Sequence, residues 1–399
     1  MIKPTGEKWK NWKKIQSRSL KRKGMPVPKD WAEYWANLHG VQYTKDTLKH
    51  GRSEETIQEQ FRLLQLECSR LKKQAVSQSV IREEILNIKH AKPPIPNWLI
   101  RDSRTTNKCV GVPTLLASDW HWGERVAPDQ VAGVNSYDMT IARVRAKRLI
   151  ENTVDLLKNH MVNPDYPGVV FALAGDMFSG NIHQELLETN ELPIMPTFLD
   201  LYGVLVWCIQ ELKRNFGSVF IPCVSGNHSR NTQKITSKNR NFLSFDWLLY
   251  QMLDKYFEND DKIVFLIPDS ADAVYKIYDY TYCLTHGDSF RSGDSMIGPL
   301  GPIIRGDHKK RGRNSQVGQA YTTLLLGHFH QLMQTQRVIT NGSLIGYNEY
   351  AYSNNFSYEP PRQALWITNE RHGITFQMPV LVEDTPKQPQ YSWVSWEKR

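Results

Sequence analysis

Five short polar segments, each closing an apolar run, constrain this chain more than any other feature. They are Asp119-Trp120-His121-Trp122-Gly123, Gly175-Asp176, Gly226-Asn227-His228, His286-Gly287-Asp288 and Gly327-His328-Phe329-His330. Singly, an Asp-x-His or His-x-His is an ordinary surface loop. All five, in this order and each after a strand-like stretch, give a dense set of oxygen and imidazole donors of the kind that two hard cations require.

The segments sit in a rhythm of strand, loop and helix that starts near residue 108. Pro113–Ser118, Gly168–Ala174, Val219–Ser225, Tyr280–Thr285 and Thr322–Leu326 read as strands. Residues 137–160, 197–216 and 242–256 read as helices from their three- and four-residue apolar spacing. Polar residues placed just past strand C-termini, with helices between, describe an α/β body with its site along one sheet edge.

Spacing within the segments assigns donors. Asp119 and His121 are two apart, so an extended backbone turns both to one face, within reach of one cation. The same holds for His328 and His330. Asp176 follows a buried strand, where a carboxylate is costly unless paired or ligating. Its two oxygens can bridge two metals. Asn227 adds a neutral carbonyl oxygen, and neutral His286 completes a second set.

These motifs resemble the calcineurin-like metallophosphoesterase superfamily over roughly residues 113–345, and within it the phage and bacterial members akin to DNA repair exonucleases. The resemblance implies a sandwich of two mixed β-sheets flanked by helices. It implies one metal on Asp119, His121, Asp176 and His330, and a second on Asp176, Asn227, His286 and His328. Manganese is expected first, with iron or zinc as alternatives. Two such cations, about 3.5–4 Å apart, acidify a water between them for attack on phosphorus. By the same resemblance His228 stands over the substrate and donates to the leaving oxygen, and Arg230 pairs with a phosphate oxygen. Asn341-Gly342-Ser343 resembles a loop that follows the last motif in many members. One departure stands out: the residue after His228 is Ser229, where the family carries a carboxylate that can orient the imidazole. His183 is a further substrate-side imidazole or, more simply, a loop histidine. No capping domain of the repair-nuclease kind is evident after residue 345.

Charge narrows the substrate. The net +9 divides into +12 on residues 1–108 and −3 on the rest. A basic head on a slightly acidic body points to a polyanion, with DNA first. Residues 1–107 are expected as a basic, largely helical extension to a domain spanning 108–399. In it, 1–30 form a flexible arm and 30–51 a helix pair compatible with helix-turn-helix. Residues 54–91 form a long amphipathic helix able to seam a homodimer or pack on the body. Two basic loops, 230–240 and 305–313, would give a backbone track if both rim the cleft. The leading expectation is thus a metal-dependent DNA nuclease. A phosphomonoesterase on a protein or small molecule, and a DNA-binding protein with a vestigial body, are the alternatives. Five scattered cysteines without a C-x-x-C pair argue for a reducing cytoplasm and against a disulfide framework. No apolar run is long enough for a membrane span, and the basic N-terminus lacks the apolar core of a signal peptide.

Overall fold

The computed structural model describes residues 6–40, 96–99, 109–182, 184–290 and 299–383. The chain divides into two compact units, 1–88 and 89–399.

In the first unit, residues expected as a flexible arm contain a helix, Gly6–Arg22, followed by a second, Trp31–Leu38. Aromatic packing explains the difference. Trp9 stacks on Trp12 at 5.0 Å between centroids, Trp12 meets Trp31 at 6.2 Å, and Leu20 and Trp35 are buried. Asp30 caps the second helix by accepting from the amides of Ala32 and Glu33. The second helix of the anticipated helix-turn-helix pair, the 54–91 helix and His183 lie outside the described residues.

The second unit carries two mixed sheets. In the first, β1 (Cys109–Ala117), β3 (Val169–Leu173), β4 (Val219–Pro222) and β5 (Ile263–Leu266) run parallel. The antiparallel strands β11 (Arg362–Asn369) and β12 (Gly373–Leu381) extend it past β1, and the short β2 (Pro164–Asp165) also pairs with β1. The second sheet has the order β6 (Asp272–Ile277), β7 (Tyr280–Thr285), β8 (Thr323–Leu326), β10 (Val338–Thr340) and β9 (Met333–Gln334).

Side-chain alternation builds the layers. On β3, Val169, Phe171 and Leu173 face the core shared with the helices Met139–Asn159, Ile194–Phe216 and Phe245–Tyr256. Val170, Ala172 and Ala174 face the second sheet, against residues such as Tyr282, Leu284 and Leu325. A strand covered on both faces reads as a continuous apolar run for this reason. The outer face of the second sheet packs Cys283, Leu324 and Leu326 against Ile303 of the helix Leu300–Gln316. The result is helix, sheet, sheet, helix: the α/β sandwich of two mixed sheets flanked by helices that the motifs imply. Leu99, on the N-terminal side of the expected 107/108 boundary, is buried in the inter-sheet core. Cys208, Cys223 and Cys283 are buried free thiols, and no described helix is long and apolar enough to cross a membrane.

The segment 305–313 is not a loop. It lies within the helix Leu300–Gln316, and three of its cations are committed to protein groups. Lys310 Nζ and an Arg313 guanidinium nitrogen each lie 2.5 Å from Asp272, and Arg311 Nε bonds Asp307 at 3.2 Å.

Candidate metal centre

Each segment begins where a strand stops. Asp119 and His121 follow β1, Asp176 follows β3, Asn227 and His228 follow β4, His286 follows β7, and His328 and His330 follow β8. All of these strands run parallel to a neighbour, so the five loops emerge along one edge shared by the two sheets.

Seven predicted donors come together there, in two groups. Asp119, His121 and His330 form one, and Asp176, His286 and His328 the other, with ligating atoms in each group within 4.8 Å of one another. His121 Nε2 lies 3.1 Å from His330 Nε2, which is 3.4 Å from Asp119 Oδ1. His286 Nε2 lies 3.0 Å from Asp176 Oδ2 and 3.1 Å from Asn227 Oδ1, which adds Asn227 to the second group. Donors about 3 Å apart match the edges of a coordination shell with bonds of roughly 2.1 Å. The donor chemistry, carboxylate and amide oxygens with imidazole nitrogens, fits a pair of divalent cations of the manganese, iron or zinc kind.

The backbone carries an independent mark of this purpose. Asp119, His121, Asp176, His328 and His330 all have positive φ, between 47° and 68°. A non-glycine residue pays roughly 1–2 kcal/mol in that region. Half of the ten non-glycine residues with positive φ among the described residues are candidate ligands, which gathers strain at this site. Two motif glycines answer a different need. A Cβ on Gly226 would sit 2.0 Å from Asp176 Oδ1, and one on Gly327 would sit 2.4 Å from Asp119 Oδ2. Both carboxylates press on bare backbone, which explains the glycine in each motif.

Surrounding groups fix the donors. The backbone amide of His328 donates to both oxygens of Asp119, each at 3.0 Å, and that of His228 donates to Asp176 Oδ1 at 2.7 Å. Ser118 Oγ also bonds Asp119. Asn341 of the resembling loop reaches behind this residue, donating to Ser118 Oγ at 2.9 Å. Trp120 and Trp122 alternate away into the helix-side core. Asp119, His121, Asp176 and His286 are each no more than 3 % exposed.

Such packing polarises the site. Burial pushes the Asp176 carboxyl up, but the charge and hydrogen bond of His286 hold it well below the usual carboxylate range. Asp119 is likewise lowered, its burial outweighed by the hydrogen bond and charge of His330. Burial disfavours charge on His286 and His121. Asp176 nonetheless raises His286 to about 10, and Glu124 raises His121 to about 9. Protons held this way stand where cations would bind, since metal and proton compete for the same lone pairs.

Two carboxylates escaped the sequence reading. Glu124 Oε2 lies 3.3 Å from His121 Nδ1. Ser179 Oγ donates to the same oxygen at 3.2 Å, and Asn348 Nδ2 to Oε1 at 3.1 Å. It is the carboxylate that orients a ligating imidazole. Asp246 is fully buried and accepts from the amides of Asp176 (3.0 Å), Met177 (3.3 Å) and Gly226 (2.9 Å), and from Ser229 Oγ (2.6 Å). One side chain thus joins the loop after β3 to the loop after β4. Burial, with the charge of Asp176, raises its carboxyl to about 6. A lone acid inside the apolar stretch Phe245-Asp246-Trp247-Leu248-Leu249 was the available signal.

A backbone carbonyl orients His228 where the resembling family uses a carboxylate. Ser229 bonds Asp246, while the His228 ring is held by a backbone carbonyl, Nδ1 lying 3.0 Å from Ser179 O. A carbonyl only accepts, so Nδ1 carries the hydrogen and proton exchange with substrate goes through Nε2. Burial lowers His228 to about 4. It is therefore neutral in the resting site and must take up a proton before donating one. Arg230 is occupied with its own loop, donating to the carbonyls of Thr232 (3.0 Å), Asn227 (2.5 Å) and Gln233 (3.2 Å). Three of its five N–H groups are spent there, where a phosphate contact was expected.

The donors open onto a cleft of about 950 Å³. His121, Asp176, Asn227, His228, His328 and His330 line one side. Neither 230–240 nor 305–313 contributes to the lining. Part of 230–240, including Arg230 and Arg240, instead lines a small cavity with Gly226 and the donor Asn227. Arg240 also pairs with Asp288 at 2.8 Å.

No family model and no curated protein matches the chain. Solved structures that match include a conserved uncharacterised protein, a predicted phosphoesterase, from Streptococcus pneumoniae. It is 12% identical, covers 67% of this chain and 97% of its own, and has a TM-score of 0.25. A Vps29 single mutant from Entamoeba histolytica is 15% identical, covering 67% and 98%, at a TM-score of 0.27. A putative 5'-nucleotidase from Staphylococcus aureus is 10% identical, covering 69% and 55%, at a TM-score of 0.26. At such scores the likenesses are too weak to assign a function, and the site residues alone carry one.

Proposed function

We propose that this chain is a two-metal-dependent phosphodiester hydrolase of the metallophosphoesterase kind, acting on DNA. The observation that carries the hydrolase reading is the convergence of Asp119, His121, Asp176, Asn227, His286, His328 and His330, five of them in left-handed backbone. Bound there, a pair of divalent cations, manganese first, supplies Lewis acidity for phosphoryl oxygens and acidifies an attacking water.

The protein's own groups do the rest. Asp176, placed in the second donor group beside His286, would offer its other oxygen to the first ion and so hold the two in register. Glu124 fixes the His121 ring, and Asp246 fixes the two loops that carry Asp176 and Asn227. His228 serves the leaving oxygen through Nε2. An arriving phosphodiester anion favours the imidazolium, which opposes the burial that keeps the ring neutral. Arg230 supports this constellation by bonding the carbonyl of Asn227. The basic character of residues 1–108 supports DNA as the polyanion.

Plasmid nicking and hydrolysis of p-nitrophenyl phosphate, measured side by side with manganese, iron and zinc, test the proposal. Efficient nicking beside slow monoester turnover is expected. The reverse pattern would replace it with a phosphomonoesterase, and inactivity on both would leave a DNA-binding body without catalysis.

A further inference from the structure

Beyond the metal donors, the cleft lining has a part of another character. Tyr350, on the short helix Glu349–Ser353, and Phe356, just beyond it, line the same cavity as His228 and His330. Tyr350 is 67% exposed and Phe356 50%. Their ring centroids are 5.9 Å apart at 77°. Tyr352 and Tyr358 are exposed close by in sequence. Of six strongly exposed aromatic rings among the described residues, these four fall within nine positions. Rings exposed together cost hydrophobic free energy and mark a surface that meets something.

This lip is fixed to the metal centre. Asn348 Nδ2 donates to Glu124, the carboxylate beside His121, and Glu349 Oε1 accepts from the amide of Ala127 at 2.8 Å. Tyr347 Oη donates to the carbonyl of Phe356 at 2.8 Å, and Asn135 Nδ2 to that of Tyr347 at 2.7 Å. The rings are therefore held in place relative to the donors.

Charge decides what the lip can take. Besides the donors, the cleft lining carries Glu124, Asp129, Glu188 and Glu349 against one arginine, Arg125. A wall of that balance repels a continuous run of phosphates, so it is not a backbone track. It suits a flat, uncharged group attached to the one phosphate at the metals. We propose that Tyr350 and Phe356 form a stacking subsite for a single unpaired nucleobase next to the scissile phosphate. The strand that enters must present an unpaired base there, as a single strand, a frayed end or a site opened by supercoiling does. This rests on the phosphodiesterase reading only for the group at the metals.

The test is equilibrium binding in EDTA, with the full chain, so that no turnover is needed. The probes are a labelled short oligothymidylate and the same oligomer with its bases replaced by tetrahydrofuran spacers. Tyr350→Ala combined with Phe356→Ala is expected to weaken binding of the base-bearing strand about tenfold or more and to leave the baseless strand unchanged. Tyr350→Trp should retain or tighten binding. Equal loss on both probes, no loss on either, or loss in the Trp variant would overturn the subsite. If the stacking pattern holds while the metal-loaded protein cleaves no DNA, the hydrolase reading falls and the base subsite stands. If cleavage is strong and the lip variants bind both probes like the wild type, the reverse follows.

Discussion

The two walls of the cleft are made by opposite rules. The metal wall is buried and strained: Asp119, Asp176 and His286 are nearly inaccessible, and five of its residues hold positive φ. The aromatic wall is exposed, with its rings supported from behind through backbone carbonyls and Asn348. The difference separates chemistry from choice. Attack on phosphorus needs donors fixed to fractions of an ångström, and only strand ends within a packed core provide that. Selecting what is joined to the phosphorus needs an open surface that can vary without disturbing the core.

Substitutions should divide along the same line. Asp176→Asn removes the carboxylate that the proposed centre shares between its two ions and should lower phosphodiester hydrolysis by at least about a thousandfold, measured as kcat/KM with manganese. His228→Gln should lower kcat by about a hundredfold or more and leave metal affinity unchanged, because the ring lies outside both donor sets. A matching fall in metal affinity would move His228 into the metal wall. Asp246→Asn keeps the shape but replaces one acceptor oxygen, which two of its four donors use, with an amide that donates. We expect a loss of about 10- to 100-fold in manganese affinity, and about 1–3 kcal/mol of stability in denaturant unfolding.

Acidity should sharpen the contrast with a smaller effect. His121 and His286 have raised pKa values in the metal-free fold. Their stabilisation is fully present below the unfolded imidazole value of about 6.5 and is lost as pH rises through about 9 and 10. The metal-free protein should therefore lose thermal stability from pH 7 to 9. The manganese-bound protein should not, because bound metal already excludes those protons. A stabilisation by manganese that shrinks over this range would contradict the assigned donors.

The metal wall was legible in the sequence because each donor follows an apolar strand, although Asp119, His121, His328 and His330 reach their groups from left-handed backbone and not from the extended segments their spacing suggests. Asp246 was not, since its partners lie some 20 and 70 residues away and meet it only once β3, β4 and the helix Phe245–Tyr256 have packed. The helix Leu300–Gln316 was read as a loop for a related reason. Gly301, Pro302, Gly306 and Gly312 lower its propensity. Its inward stripe is Ile303, Asp307, Lys310 and Asn314, a helical spacing written mostly in polar residues. Hydrophobic periodicity cannot show a face buried through ion pairs such as Lys310 with Asp272. Residues 6–22 hid their helix similarly, because tryptophans spaced among lysines look like a basic arm until they stack.

Titration of manganese into the metal-stripped protein by calorimetry, with Asp176→Asn beside the wild type, bears most directly on the whole account. Two ions per chain are expected in the wild type, and weakened binding of both in the variant, because the proposed centre shares that aspartate between them. A single ion, or two that bind the variant as tightly as the wild type, would contradict a shared two-metal centre at these strand ends.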